Sequence, residues 1–455
     1  MRYYPIHFNH GDEEMEENQM DSNTIQFYTG LIACVKQLIE SDAFKERYRT
    51  SKKAFSRNRT LTFPIVTLFL LNLVKRSMQD ELDEFFKAVQ NKKVAERVVT
   101  KSAFTQARRK LHYKAFIELD QAQTTYFYKH GKPRRWCDLR LLAIDGSMSD
   151  LPQNEAVNIH FGVWHPNAGG TCAKARVSQM FDALNKVTVD ALIAPKAEGE
   201  RALAAKHLAH VQPDDLLLLD RGYPAFWLFA AILKQKAQFC ARITISKWHV
   251  VQKFVASGKK EQYVFLRPWP AAKKQCEERD LPTTPIRVRL IRIELSSGEV
   301  EVLVTSLLDG TRFPVSLFQE LYHQRWPVEE DYEVLKSRIE VENWSGKSVQ
   351  SVYQEFHAAI FTKNMTAILA QPAQQEVMQQ SQLRKHAYQI NMTNLISKMK
   401  DTVVYLLRDA DIHPLLQALW QQMVKTIEPI RCGRAYPRKK GIRRKRFSVS
   451  YKAAR

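Results

Sequence analysis

Cysteine is scarce and scattered in this chain of 455 residues. Its six cysteines, Cys34, Cys137, Cys172, Cys240, Cys276 and Cys432, include no Cys-x-x-Cys pair. That spacing excludes a zinc cluster or a disulfide framework and points to a reducing, cytosolic compartment. Long apolar runs are missing as well. The longest, residues 61–74 (LTFPIVTLFLLNLV), has fourteen residues and contains a proline. A membrane span needs about twenty, so a buried helix is expected there. The first twenty residues are polar and acidic with no apolar centre, unlike a secretory leader. Acid is short relative to base: 48 Asp and Glu face 69 Lys and Arg, a formal net charge of +21. Such an excess favours a polyanionic partner, either nucleic acid or an anionic membrane surface. What the chain does have is core material. Apolar residues make 45 % of it, enough for two to four domains.

Residues 1–135 read as a helical domain and linker. An apolar pattern over 29–39 fits a helix, and a basic stretch follows with Lys45, Arg47, Arg49, Lys52, Lys53, Arg57 and Arg59. Ser77 or Asp80 suits the cap of a helix with Leu82, Phe85 and Phe86 inward. Thr100 suits the cap of another that displays Lys101, Arg108, Arg109 and Lys110. Short helices with a basic face suit DNA, a helix-turn-helix among the options. The same pattern also fits a helical support domain with ordinary surface charge. The run GKPRR at 131–135 reads as a linker.

Over 136–246 the periodicity changes. Residues 139–144 (LRLLAI) form a near-continuous apolar run ending in Asp145, Gly146 and Ser147. A buried strand is expected, with an acid emerging at its carboxyl end, where active-site groups often sit. Short extended pieces are expected at 158–164, 173–181 and 187–193, then a helix over 200–210. Residues 215–219 (DLLLL) read as a second buried strand ending in Asp220, followed by Arg221, Gly222, Tyr223 and Pro224. A helix and a strand over 239–245 close the segment. The short connections suit antiparallel neighbours, and the helical crossover over 194–214 suits a parallel return. This is the element order of a ribonuclease-H-like mixed sheet. An aspartate at a strand end is also a common turn residue. Asp138, Asp150, Asp182 and Asp215 are rivals to Asp145 and Asp220, with Asp182 the strongest.

Residues 247–308 interrupt that order. The run 286–295 (IRVRLIRIEL) alternates as a strand with one solvated basic face, and SSGE at 296–299 reads as a hairpin turn. A small antiparallel β subdomain is expected here. Its Trp248 and Trp269 are either packed or open to an unstacked base. Residues 309–370 return to the core and carry LYHQRWPVEEDYEVLK over 321–336. There Tyr322, Arg325, Glu329 and Lys336 recur at steps of three, four and seven, within about 60° on a helix surface. Pro327 has no N–H for the carbonyl of His323, so a regular helix is expected to start near Trp326. A solvated charged face would look similar. Phosphate chemistry gives the set a use: the carboxylate can hold a metal and the cations can grip phosphate oxygens.

Asp145, Asp220 and Glu329, with no histidine or cysteine partner, suit hard cations such as Mg²⁺, with Mn²⁺ as a substitute. Two such ions can activate a nucleophile and stabilise the leaving oxygen. The chain resembles DDE transposases of bacterial insertion sequences, in the branch marked by a tyrosine, arginine, glutamate and lysine signature. Tyr322, Arg325, Glu329 and Lys336 match that signature, Asp145 in LLAIDGS the first aspartate, and Asp220 in LLLLDRGYP the second. The resemblance covers roughly residues 55–370. It implies an α/β fold: a ribonuclease-H-like mixed sheet with a β-rich insertion and an N-terminal helical domain. It implies two Mg²⁺ ions on Asp145, Asp220 and Glu329. Cleavage at transposon ends through a hairpin intermediate and strand transfer into target DNA would follow. It gives Tyr322, Arg325 and Lys336 the terminal phosphates and neighbouring bases. Arg221, Trp248, Trp269, Arg108 and Arg109 are further DNA-binding candidates. The implied partners are double-stranded DNA at terminal inverted repeats, target DNA, and a second copy in a homodimeric paired-end complex, in a bacterial, nucleoid-associated cytoplasm without membrane.

The end of the chain adds two regions. Residues 371–430 read as helical, with 415–423 a candidate for dimer contacts. Residues 431–455 form a basic tail. Nine of its basic residues fall between Arg431 and Arg446, with Lys439, Lys440, Arg443 and Arg444 among them. Such a tail grips phosphate without reading sequence. A nuclease of the same fold without strand transfer, or a non-catalytic DNA-binding protein, fits the same residues.

Overall fold

The computed structural model describes residues 21–57, 59–164, 172–295, 298–382 and 384–430. The basic tail with Lys439, Lys440, Arg443 and Arg444 lies outside the described residues. Two compact units form. Among the described residues, one combines those up to Gly131 with those from Phe361; the other comprises those of Lys132–Ile360.

The first unit is helical: α1 (Ser22–Glu40), α2 (Asp42–Tyr48), α3 (Phe63–Leu71), α4 (Met78–Val89), α5 (Lys101–Arg108) and α6 (Lys114–His130). Side-chain caps set the starts. Asp21, Ser41, Thr62, Ser77 and Thr100 each accept a backbone N–H of the first turn. The apolar run at 61–74 is α3, and it is buried nearly all round. Arg108, expected on display, is instead 4 % exposed, with its guanidinium over the Phe104 ring at 5.8 Å. It falls on the face of α5 that carries Phe104 and Ala107 inward, while Arg109 beside it is exposed.

The second unit is built on one nine-stranded sheet. Its elements are β1 (Arg140–Asp150), α7 (Glu155–Phe161), β2 (Val163–Trp164), β3 (Cys172–Asp182), β4 (Val187–Pro195), α8 (Glu200–His207), β5 (Asp215–Leu219), α9 (Phe226–Lys234) and β6 (Gln238–Arg242). The strand order is β2-β3-β1-β5-β6-β9 (Val300–Thr305)-β8 (Ile286–Glu294)-β7 (Glu261–Leu266), with β4 also on β3. β1 pairs antiparallel to β3, β3 antiparallel to β4, and β5 parallel to both β1 and β6. This is a ribonuclease-H-like α/β architecture with a helical N-terminal extension. Two local expectations change. Of the extended piece expected over 158–164, only 163–164 are strand; residues 155–161 form a helix started by the Asn154 side chain. β1 also does not stop at Asp145: it loses β5 after Ile144 but keeps β3 as partner as far as Asp150.

The insertion comprises α10 (His249–Ala256), β7 (Glu261–Leu266), α11 (Pro270–Glu277), β8 (Ile286–Glu294) and β9 (Val300–Thr305). Its strands do not form a sheet of their own. β9 pairs antiparallel to β6, so the insertion prolongs the main sheet. The alternation in IRVRLIRIE explains this: Val288, Leu290 and Val302 are buried in the same apolar core as Phe229 and Phe239. Gly298 in the β8–β9 turn has φ +81°, a conformation that favours glycine. The chain then forms α12 (Phe318–His323), α13 (Pro327–Glu333), a π-helical stretch over Val334–Arg338, and α14 (Val349–Leu369). Pro327 is the first residue of α13, as its missing N–H dictates.

The helical unit is completed from Phe361 by α15 (Gln371–Ser381), α16 (Met392–Leu406) and α17 (His413–Lys425), with a short ladder of β10 (Tyr388–Ile390) and β11 (Ile427–Pro429). Buried polar contacts tie these residues to the early helices. Asn364 Nδ2 donates to Asp120 at 2.9 and 3.1 Å, and Thr362 Oγ1 donates to the Leu71 carbonyl at 2.7 Å.

Candidate active site

β1 and β5 lie side by side and run in the same direction, in register from Arg140 opposite Asp215 to Ile144 opposite Leu219. The next residue on each strand is an aspartate, Asp145 and Asp220. The register therefore places two carboxylates together at one end of the parallel pair. α13 is fixed against this end, since the Tyr332 hydroxyl donates to the Asp145 carbonyl at 2.9 Å. That contact brings in Glu329, one turn earlier on α13.

Arg325 is the hub. It is 4 % exposed, donates from Nη2 to Glu329 Oε1 at 2.7 Å, and places Nη1 3.9 Å from Asp145 Oδ2. Its charge also acts on Asp220. Asp145 accepts the Gly146 N–H at 2.8 Å. Burial pushes its carboxyl up to about 6, and Glu329 and Asp220 push the same way, against the Gly146 N–H and Arg325. Burial also works to raise the Asp220 carboxyl, but the Arg221 N–H, Arg242 and Arg325 outweigh it and hold it below its ordinary value. Arg242 Nη2 and Nε donate to Asp220 Oδ1 at 2.9 and 3.1 Å, and the Tyr322 hydroxyl reaches the same oxygen at 3.3 Å. Burial and the Asp220 charge push the Tyr322 phenol well up, so it stays a donor.

Lys336 donates to Ser147 Oγ and to the Met148 carbonyl, both at 2.6 Å. It thus faces β1 just beyond Asp145. It does so from the π-helical stretch, so its seven-residue step from Glu329 does not run along a regular α-helical face.

The donor set suits a hard divalent cation: three carboxylates whose side chains stay 23, 30 and 34 % exposed at Asp145, Asp220 and Glu329. Among the described residues, no three His, Cys, Asp or Glu groups are gathered closely enough to ligate one ion as they stand. Arg325 is the cation among them.

The rival aspartates have other partners. Asp182 is buried and accepts the backbone N–H groups of Leu184 and Asn185 in the β3–β4 turn. Asp215 accepts two bonds from Arg140, Asp150 pairs with Lys174, and Asp138 with Arg312. Among the DNA-binding candidates, Arg221 is exposed one residue past Asp220. Trp248 is 8 % exposed and packs edge-on against Trp269 at 5.3 Å, so of the two only Trp269, at 47 %, offers a ring face.

Sequence reasoning missed Arg242 and the hydroxyl of Tyr332. Arg242 had a signal: it ends the strand next to the one that ends in Asp220. Tyr332 carries no such signal, since nothing local ties its hydroxyl to β1.

Residues 136–365 match the family model of the transposase DDE domain. The chain is 26 % identical over 278 residues to the transposase InsG for insertion sequence element IS4 of Escherichia coli strain K12, a match spanning 59 % of this chain and 60 % of that protein. The chain thus spans under two thirds of that relative. The cryo-EM structure of the piggyBac transposase synaptic complex with hairpin DNA aligns with a TM-score of 0.44 and 9 % identity, over 87 % of this chain and 84 % of that one. With half of its length, and the whole central sheet, inside that family model, this chain belongs to the DDE transposase family.

Proposed function

We propose that this protein cuts DNA at the ends of an insertion element and joins the freed 3′ hydroxyls to target DNA. The observation that carries this reading is the convergence of Asp145, Asp220 and Glu329 on the Arg325 guanidinium. Asp145, Asp220 and Glu329 would hold Mg²⁺ or Mn²⁺, two ions in the full site. The ions supply a lowered water pKa and charge for the leaving oxygen.

The residues of the chain do the rest. Burial pushes the Asp145 carboxyl up to about 6 in the metal-free site, a cost that bound cations would offset, and the proton of the attacking water or 3′ hydroxyl would pass to solvent. The nucleophile's oxygen bonds to phosphorus as the P–O3′ bond breaks, and the departing oxygen takes a proton from solvent. A freed 3′ hydroxyl then attacks the opposite strand to give a hairpin, and after that opens, the target. Arg325 and Lys336 are suited to grip non-bridging phosphate oxygens once DNA displaces their present partners, with Tyr322 orienting Asp220. Arg221, Arg109, Trp269 and the basic tail would hold flanking DNA, largely through phosphate. The relative that acts for insertion sequence IS4 supports the substrate class. A homodimeric paired-end complex in the bacterial nucleoid is the assembly that joins two ends at once. No helix among the described residues is long and apolar enough to cross a membrane.

The test is cleavage of labelled linear DNA carrying the terminal repeats that flank the protein's own coding sequence, with Mg²⁺ and with chelator. Metal-dependent cutting and joining, lost in Asp145→Ala, Asp220→Ala and Glu329→Ala, is the expected result. Cutting without joining would make the protein a nuclease of the same fold. Tight binding without cutting would make it a DNA-binding protein, and cutting by all three variants would displace the site.

A further inference from the structure

Beside the three carboxylates lies a fourth that the reading above does not use. Glu200 opens α8, exposed at 46 % of its side chain, with Oε1 2.5 Å from Arg176 Nη1. It lies beside both backbone segments that carry the aspartates. A Cβ added to Gly146, next to Asp145, would lie 3.4 Å from Glu200 Cγ. A Cβ added to Gly222, two past Asp220, would lie 3.8 Å from Glu200 Oε2. The Glu200 side chain thus lies within van der Waals reach of the backbone beside each aspartate.

A second observation points into the same place. Tyr223 is 2 % exposed, and its hydroxyl has no hydrogen-bond partner among the described residues. A buried hydroxyl without a partner costs about 1–3 kcal/mol, so its retention calls for a use. The oxygen would lie 3.6 Å from that same added Cβ on Gly146, and the carboxylates whose charge it feels are Asp145, Glu200 and Asp220. The unused donor and the Glu200 side chain thus approach the same side of Gly146. Helix α8 is held firmly there. His207, two turns along from Glu200, is fully buried between Ser178 Oγ at 2.9 Å and Asp190 Oδ2 at 2.6 Å.

We propose that Glu200 is a fourth carboxylate of the divalent-cation site, held aside by Arg176, and that the Tyr223 hydroxyl is the donor that fixes its inward orientation. This rests on Asp145 and Asp220 being cation ligands. Arg176 and the cation compete for Glu200, so binding of one releases the other. Tyr223 is then a positioning residue: it would donate to the inward carboxylate and not to the DNA.

The experiment is Mn²⁺ titration of the full chain, with free Mn²⁺ read by electron paramagnetic resonance and no DNA present. Native protein is compared with Glu200→Gln, Glu200→Ala, Tyr223→Phe, Arg176→Gln and Asp145→Ala, each checked for folding by circular dichroism. Glu200→Gln and Glu200→Ala are expected to weaken Mn²⁺ about tenfold, and Tyr223→Phe by a few-fold, in the range seen when groups around a metal are removed. Arg176→Gln should tighten binding more in the native background than in Glu200→Gln, because only there does it free a ligand. If Asp145→Ala weakens Mn²⁺ while both Glu200 variants bind it like the native chain, Glu200 is no ligand and the inference fails alone. If Asp145→Ala also binds Mn²⁺ like the native chain, the cation site itself is misplaced and this inference goes with it.

Discussion

β1 and β5 carry charge at both ends of their shared register, and the two ends are finished differently. At the start, Arg140 lies opposite Asp215, and two bonds of 2.7 Å join the guanidinium to the carboxylate. Both residues are buried, and Asp215 also accepts the Gln212 N–H at 2.7 Å. Each oxygen there has a donor. At the far end the same two strands present Asp145 and Asp220, two like charges side by side, with Glu329 added from α13. One buried arginine, Arg325, serves all three. The fold buries a one-to-one ion pair at one end of two strands and gathers three partly exposed acids at the other, with Arg325 between Asp145 and Glu329 and Arg242 on Asp220. Such a place attracts cations and develops shifted carboxyl groups, which marks functional sites more often than structural ones.

The largest expected effect separates the ends by chemistry. Asp220→Ala and Glu329→Ala should lower Mg²⁺-dependent cleavage at least about a thousandfold, roughly 4 kcal/mol of barrier. Cleavage within about tenfold of native in either variant would break the comparison.

The opposite expectation holds at the closed end. Burial costs the Asp215 carboxylate more than Arg140 returns, which leaves its pKa raised. The pair as a whole is therefore a weak stabiliser, but half of it is worse than none. Asp215→Ala would leave the Arg140 charge buried and unpaired. It should cost about 3–5 kcal/mol in chemical denaturation. The double change Arg140→Met with Asp215→Leu should recover most of that loss.

A smaller effect follows from pH. The Asp145 carboxyl is pushed up to about 6 by burial, against an ordinary value of 3.8. A folded-state pKa above the unfolded one gives stability that is complete below the unfolded value and fades as pH rises through the folded one. In chelated protein, stability from this group should therefore fall between about pH 4 and pH 6. Asp145→Asn should be more stable than native by about 1–3 kcal/mol at pH 7.5 and no more stable at pH 4. Urea denaturation at the two pH values measures this. An Asn variant less stable than native at pH 7.5 would place Asp145 with the closed end.

Much of this difference was legible in the chain. Continuous apolar runs such as LLLL give a central strand, and the acid after each run gives a strand-end carboxylate. The order of elements gives the parallel neighbours. What was not legible is where strands stop and who pairs with whom. β1 runs past Asp145 because β3 remains beside it, a partner thirty residues away in sequence that no local pattern reveals. The alternation of 286–294 fits a strand in any sheet, so nothing local says that β9 would join β6. Arg108 and Arg109 look alike in sequence, and only helix phase turns one inward. Asp182 and Asp215 were rivals until their donors were known.

The smallest predicted effect gives the finest distinction. Arg242 resembles Arg140 on paper: an arginine on a central strand bonded to an aspartate at an end of β5. Its side chain, however, is 27 % exposed and bridges Asp220 and Glu301. Water can replace it. If Arg242 belongs to the open end, Arg242→Gln should cost under about 1 kcal/mol, as partly exposed pairs do. Asp220 keeps the Arg221 N–H and Tyr322. Removing the arginine also removes a positive neighbour, so Mn²⁺ should bind a few-fold tighter than to the native chain. If Arg242→Gln instead costs several kcal/mol and leaves Mn²⁺ affinity unchanged, then Asp220 is locked as firmly as Asp215. The contrast between the two ends would then rest on Asp145 and Glu329 alone.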